Sequence, residues 1–406
     1  MRKFITILAI ALIAVALIGP GLMGRVAEKA LNDSNSEIAR SLPPWIEMVE
    51  QDFDRGWFAS GSRYRLAITD RSRLGPLIAL FGEGVFADQP AVIVQSRVAH
   101  GPLVGLFTPA LAQADSRFIA ETGNEQPAVL PLALRTTLGL TGNATFDWLV
   151  REGSAEHAAG SARWQDMTLR HFVAADLSRT TLDLSAPLFE IVPADSSVAM
   201  NYQDVDISLT LLQEGSLLRS GADYALTIEG DEGSVTTEGQ VTLNGIELSA
   251  LPALNTLVAR LTTAKDRQQA YATLQANLPA LREVLASQVS LDWNQSVATS
   301  NGAIQSNLAF ELPTSSQLPA ANNIQVVGAA VLQLSKATVY LSLAPEFVAA
   351  ASEGPDEVKQ AIAMMRGTGM LIDDDDTGQF VTDLAYADGL LTVNGMPMPV
   401  AAPPSE

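Results

Sequence analysis

Apolar side chains recur at every second position along much of this chain, and that period limits its fold more than any other feature. Tyr64, Leu66 and Ile68 alternate with Arg63, Arg65 and Ala67. Val205, Ile207, Leu209 and Leu211 repeat the pattern, as do Tyr224, Leu226 and Ile228, then Ile304, Leu308, Phe310 and Leu312, and finally Val339, Leu341 and Leu343. Successive side chains of a strand point to opposite faces, so each stretch predicts a strand with one apolar and one polar face, as antiparallel sheets contain.

Helical spacing is confined to fewer places. Leu254, Leu257, Val258, Leu261, Leu274, Leu278, Leu281 and Leu285 share one face of a segment from Leu251 to Leu285, with Pro279 as a break or restart. A shorter helix is expected from Pro345 to Met370, with Phe347, Val348, Val358, Ile362 and Met365 inward. Ser36 to Asp54 carries Ile38, Leu42, Trp45, Ile46 and Val49 at helical spacing around Pro43-Pro44, which predicts two short helices stopped at Gly56. Glu238 to Gly245 echoes Asp388 to Gly395: both read as an acid–Gly turn, a four-residue strand and an Asn-Gly turn. The echo is either a duplication or two hairpins that share good turn chemistry.

The N-terminus has a different character. After Arg2 and Lys3 the run Phe4 to Met23 has no charged residue, long enough as a helix to cross a bilayer, and the preceding cations favour keeping the N-terminus in the cytoplasm. Residues after Gly24 would then lie across the membrane. A cleaved secretory signal is the competing reading, but the small residues required before a cut are poorly placed around Gly24 to Ala30.

Composition removes several classes of function. The 406 residues include no cysteine, which excludes disulfides, thiol nucleophiles and cysteine-ligated metals. A net charge of −20, with five lysines against twenty arginines, argues against nucleic acid and against adsorption on anionic head groups.

Catalytic motifs are missing as well. Gly19 to Gly24 satisfies a dinucleotide-binding pattern, yet it ends an apolar segment instead of joining a strand to a helix. His100, His157 and His171 lack ligand-spaced partners and read as turn or surface residues, with His100 capping a strand before Gly101-Pro102. Asp373, Asp375, Thr377 and Gly378 imitate the start of a calcium loop, but Leu384 stands where a bidentate glutamate is required. The run is read as a solvated acidic turn. No catalytic, cofactor-binding or metal-ligating residue is named by the sequence.

Four short motifs in order carry a resemblance. Asp54-Arg55-Gly56-Trp57-Phe58-Ala59-Ser60 follows the N-terminal segment, and His100-Gly101-Pro102 follows a strand. The Leu251 to Leu285 segment precedes the strand Val289-Leu291-Trp293, and Tyr386-Ala387-Asp388-Gly389 leads to Thr392, Asn394 and Gly395. The chain resembles the YdgA/YihF-like family of bacterial inner-membrane proteins, which is of unknown function and supplies no catalytic residue to carry over.

The expected class is therefore α+β: an N-terminal transmembrane helix followed by a mainly antiparallel β body with a few helices. The expected divisions are an anchor at 1–24, a helical membrane-proximal segment at 25–60, a periplasmic body at 61–395 with one or two subdomains, and a loose tail at 396–406. The expected function is a non-enzymatic binding or scaffold role at the bacterial inner membrane, with a lipid or an envelope protein as partner and an acyl chain or a partner strand held on the concave face of a curved sheet. A periplasmic hydrolase whose site is assembled only by folding is the alternative.

Overall fold

A computed structural model describes residues 42, 45–56, 58–70, 91–100, 104, 109–121, 128–157, 160–194, 199–230, 233–263, 266–353 and 356–398. The described residues are mainly antiparallel β-sheet with a few short helices, and the chain divides into two compact units, Met1–Asp206 and Ile207–Glu406. No helix among the described residues is long and apolar enough to cross a membrane; Phe4 to Met23 lies outside them.

The first unit is a meander. Strands β1 (Ile46–Asp54), β2 (Ala59–Ile68), β3 (Ala91–His100), β4 (Ala110–Ala120), β5 (Ala128–Gly139) and β6 (Ala144–Val150) each pair antiparallel with the next. Then come β7 (Gly153–His157), β8 (Gly160–Trp164), β9 (Met167–Val173) and β10 (Arg179–Pro193). The registers β6–β9 and β7–β8 are continuous, as are β9–β10 and β8–β10, so β6 with β7 and β8 with β9 are two long strands, each interrupted once. The interruptions lie side by side, opposite Pro187, which has no N–H for the ladder. Buried Trp164 fills the joint, its indole N–H donating to the Arg151 carbonyl at 2.8 Å, and a Cβ on Gly153 would stand 2.8 Å from its ring.

The two faces of this sheet carry contrasting rows of side chains. Leu134, Trp148, Leu169 and Leu184 are successive partners on the apolar face, where the Phe118 and Trp148 rings stack at 5.7 Å. On the polar face, Arg97, Asp115, Arg135, Asp147, Arg170 and Asp183 pair in order across consecutive strands, so charge alternates along a single row. Arg135–Asp115 and Arg170–Asp147 close to 2.7 and 2.6 Å. Opposite charges directly across a strand pair favour that register over a slipped one.

β1 corrects the sequence reading of a helical 25–60 segment. Ile46–Asp54 is a strand paired to β2, with Val49 as the extra residue of a bulge between Met48 and Glu50. The bulge shifts the inward parity from Ile46 and Met48 to Phe53, and apolar residues at 46, 49 and 53 then imitate a helix. Gly56 accordingly stops no helix. It serves a close approach, because a Cβ there would run into the Ala59 carbonyl.

β11 (Met200–Glu214) carries the boundary between the units. In the second unit β12 (Leu217–Gly230), β13 (Gly233–Glu247), β14 (Ser290–Thr299), β15 (Gly302–Glu311) and β16 (Lys336–Leu343) again form a meander. β17 (Ile372–Asp374), β18 (Gln379–Ala387), β19 (Leu390–Val393) and β20 (Met396–Met398) complete it, with β18 on β16 and β17 and β19 both on β18.

Helices are inserted in the connections. α1 (Leu251–Thr262), α2 (Arg267–Ala276) and α3 (Leu278–Val284) join β13 to β14, α4 (Ile324–Leu334) joins β15 to β16, and α5 (Pro345–Glu353) with α6 (Asp356–Gly367) follows β16. Glu311 pairs with both Ser290 and Lys336, so α1–α3 and α4 occupy the same end of the sheet. Helix α5 begins at the other end, where Val348 packs with Leu343 and Leu371.

Asp388-Gly389 and Asn394-Gly395 are two-residue hairpin turns with positive φ at every position (52°, 77°, 50° and 75°), as the spacing predicts. The earlier echo does not repeat that structure. Glu238-Gly239 lies inside β13, and Gly239 makes room for the Tyr224 ring across the sheet. The expected loose tail is corrected for Met396–Met398, which the Asn394-Gly395 turn folds onto β19; residues 399–406 lie outside the described residues.

Candidate functional site

An open apolar groove of about 550 Å³ lies between α2, α3 and α4 at the helical end of the second unit. Its construction follows from local rules. Asp266 caps α2 by accepting the Gln269 N–H at 2.8 Å, Pro279 stands in the first turn of α3, and Asn323 caps α4 by accepting the Gln325 N–H at 2.8 Å. Gln275 of α2 reaches across to α4: its amide donates to the Asn322 carbonyl at 2.9 Å and accepts the Ile324 N–H at 2.8 Å. Arg282 of α3 donates to the Ala321 carbonyl at 3.0 Å. Together they hold the start of α4 against the helix pair.

The floor is hydrocarbon. Leu278, Leu285, Leu318, Ile324 and Val327 form the buried cluster, and Leu274, Leu281, Leu312 and Val331 extend it into the groove. Gly328 lies in the wall, and a Cβ added there meets nothing within 4 Å. Tyr271 and Gln325 alone bring polar side chains to the lining. The rest of the lining is apolar, as the walls of most small-molecule sites are.

This is not where the sequence reading looked. Leu209, on one of the alternating strands, is 40% exposed. Leu341 packs instead beneath α5 and α6. Helix α4 also went unread, because its Val326-Val327 and continuous apolar run suit a strand as well as a helix. The charge-free stretch around it was the available signal.

The histidines separate. His171 stacks on Phe146 at 5.5 Å within the apolar face of the first unit, and the His157 side chain lies outside the described residues. His100 ends β3, as expected, yet it is buried rather than a surface residue. Its Nε2 lies 2.7 Å from Ser60 Oγ, which brings together two motifs quoted for the resemblance, forty residues apart. Burial holds the imidazole below its ordinary pKa. A Ser–His contact opens the list of parts a hydrolase needs, but among the described residues Nδ1 has no partner to orient the ring, and both residues are buried.

The acidic run is a turn. The Asp374 carboxylate accepts from Thr377 Oγ1 at 2.6 Å and from the Asp376 N–H at 3.2 Å, which holds it below the usual carboxylate range. Among the described residues no group of three or more His, Asp or Glu side chains is arranged to hold a metal ion.

No curated protein and no solved structure matches the chain. One family does, over residues 1–255 and again over 238–401. The chain belongs to that family, described as a bacterial protein of unknown function, DUF945.

Proposed function

We propose that this chain is a non-enzymatic binding protein of the bacterial envelope that holds a hydrocarbon chain in the groove between α2, α3 and α4. The observation that carries the reading is the lining itself: a groove of about 550 Å³, within the size range of small-molecule sites, walled almost wholly by Leu, Ile, Val, Ala and Gly328. An acyl chain is the biological ligand that asks for no polar partner. The uncharged run Phe4 to Met23 behind Arg2 and Lys3 supports a single-pass anchor in the inner membrane with the body in the periplasm, as does the likeness to YdgA/YihF-like proteins.

The test uses the space beside Gly328. Full-length protein is assayed for uptake of a fluorescent fatty-acid analogue, and Gly328→Trp fills the groove without meeting another atom at its Cβ. The reading expects uptake to fall at least about tenfold while the melting temperature holds. Equal uptake by both proteins would remove the groove from the function.

A further inference from the structure

Helix α2 carries an ionic group beside an otherwise neutral groove. Its lining residues Tyr271 and Leu274 stand four and seven positions after Arg267, so the three side chains share one stripe of the helix, with Arg267 in the first turn. Helical side chains lean toward the N-terminus, which carries the guanidinium outward beyond Tyr271, itself 40% exposed at the edge of the groove. Arg267 is exposed, and among the described residues it closes neither an ion pair nor a hydrogen bond.

The charges around it are unlike those of the rest of the chain. Helices α2, α3 and α4 hold two cations and one anion, Arg267, Arg282 and Glu283, in a protein of net charge −20. Arg282 is committed to the Ala321 carbonyl at 3.0 Å. Glu283 falls between Leu281 and Leu285, which line the groove, and so lies on the far side of α3. Asp266, next to Arg267 in sequence, is held at the cap by the Gln269 N–H at 2.8 Å. Among the described residues Arg267 is thus the cation left free at the rim, and no carboxylate lines the groove. An acyl chain buried in hydrocarbon leaves its polar end at the mouth, and a planar guanidinium pairs two oxygens of a carboxylate or a phosphate at once.

We propose that the Arg267 guanidinium, assisted by the Tyr271 hydroxyl one turn along, receives the anionic head group of an amphiphile whose chain lies in the groove. The ligand class is then a fatty acid or a long-chain phosphate ester, and not a neutral lipid. This deepens the binding role proposed above and rests on it. The cation is solvent-exposed, so it sets which head group is preferred more than how tightly the chain is held.

The test is competition at physiological salt, which screens the acidic bulk of the chain. Full-length protein carrying a fluorescent fatty-acid analogue is challenged with palmitate, hexadecyl phosphate and hexadecanol, equal in chain length and kept below their micellar concentrations. The two anions should displace the probe at about fivefold lower concentration than hexadecanol, the most that a solvent-exposed ion pair supplies. The better of the two names the head group. Arg267→Gln should bring all three level without changing hexadecanol, and Arg267→Lys should keep part of the preference. Equal displacement by all three in wild type, or a preference untouched by Arg267→Gln, would overturn the assignment. Loss of all binding in Gly328→Trp with no head-group preference in wild type defeats this inference and leaves the groove standing; a preference that Arg267→Gln removes and Gly328→Trp spares does the reverse.

Discussion

Ser60 Oγ and His100 Nε2 lie 2.7 Å apart with both residues only 4% exposed, and the second ring nitrogen of His100 has no partner among the described residues. The pair ties the start of β2 to the end of β3 in the first unit. Burial lowers the folded-state pKa of His100, so the unfolded chain binds this proton more readily. The stability it confers is complete above the unfolded value of about 6.5 and is lost as pH falls below it. Urea unfolding of wild type and His100→Asn between pH 5 and 7.5 checks this. Wild type should lose stability with acid more steeply than the variant, and parallel curves would show that His100 is not buried in its neutral form.

Two glycines are indispensable for different reasons. Gly395 has φ +75° in a two-residue hairpin turn, while a Cβ at Gly56 would run into the Ala59 carbonyl. Gly395→Val and Gly56→Val should each cost on the order of 1–3 kcal/mol. Gly61→Ala, with nothing within 4 Å of the added atom, should be neutral or stabilise by about 0.5 kcal/mol. Thermal melts of the three variants rank them, and a melting temperature for Gly56→Val at or above that of Gly61→Ala would refute the close approach.

Helix α4 tolerates a glycine that local physics does not require. Gly328→Ala should stabilise the second unit by about 0.5–1 kcal/mol, since alanine is the better helix former and the added methyl meets open space. Hydrogen exchange along α4 reads the effect locally. Slower exchange is the expected result, and faster exchange would mean that the wall is more crowded than it stands here.

The alternating row on the first unit should behave as a collective. Asp147 pairs with Arg135 on one side and Arg170 on the other, so Asp147→Lys places three cations in succession. Direct like-charge pairs should cost about 1 kcal/mol, relieved by molar salt. A salt-independent loss of stability would point to packing instead.

Much of the sheet was legible because its signals are local. The alternation at Tyr224–Ile228 and Val339–Leu343 and the turns at Asp388-Gly389 and Asn394-Gly395 need only neighbouring residues. Where a bulge moved the parity at Val49, the same residues imitated a helix. Where an apolar helix is half covered and half open, as in α4, no period marks it. The groove was not legible at all, since Tyr271, Leu312 and Leu332 converge only through the meander that brings α1–α3 and α4 to one end. Ser60 and His100 meet for the same reason, across adjacent strands and forty residues of sequence.

The central claim is that the α2–α3–α4 groove holds a hydrocarbon chain, and mapping a bound acyl chain tests it most directly. Cells expressing the full-length protein are fed a fatty acid with a photoreactive group near its methyl end, irradiated, and the adducts located by mass spectrometry. Adducts should concentrate on peptides spanning Tyr271–Leu285 and Leu312–Leu334 and should disappear from both in Gly328→Trp. Adducts that avoid these peptides, or that persist unchanged in Gly328→Trp, would contradict it.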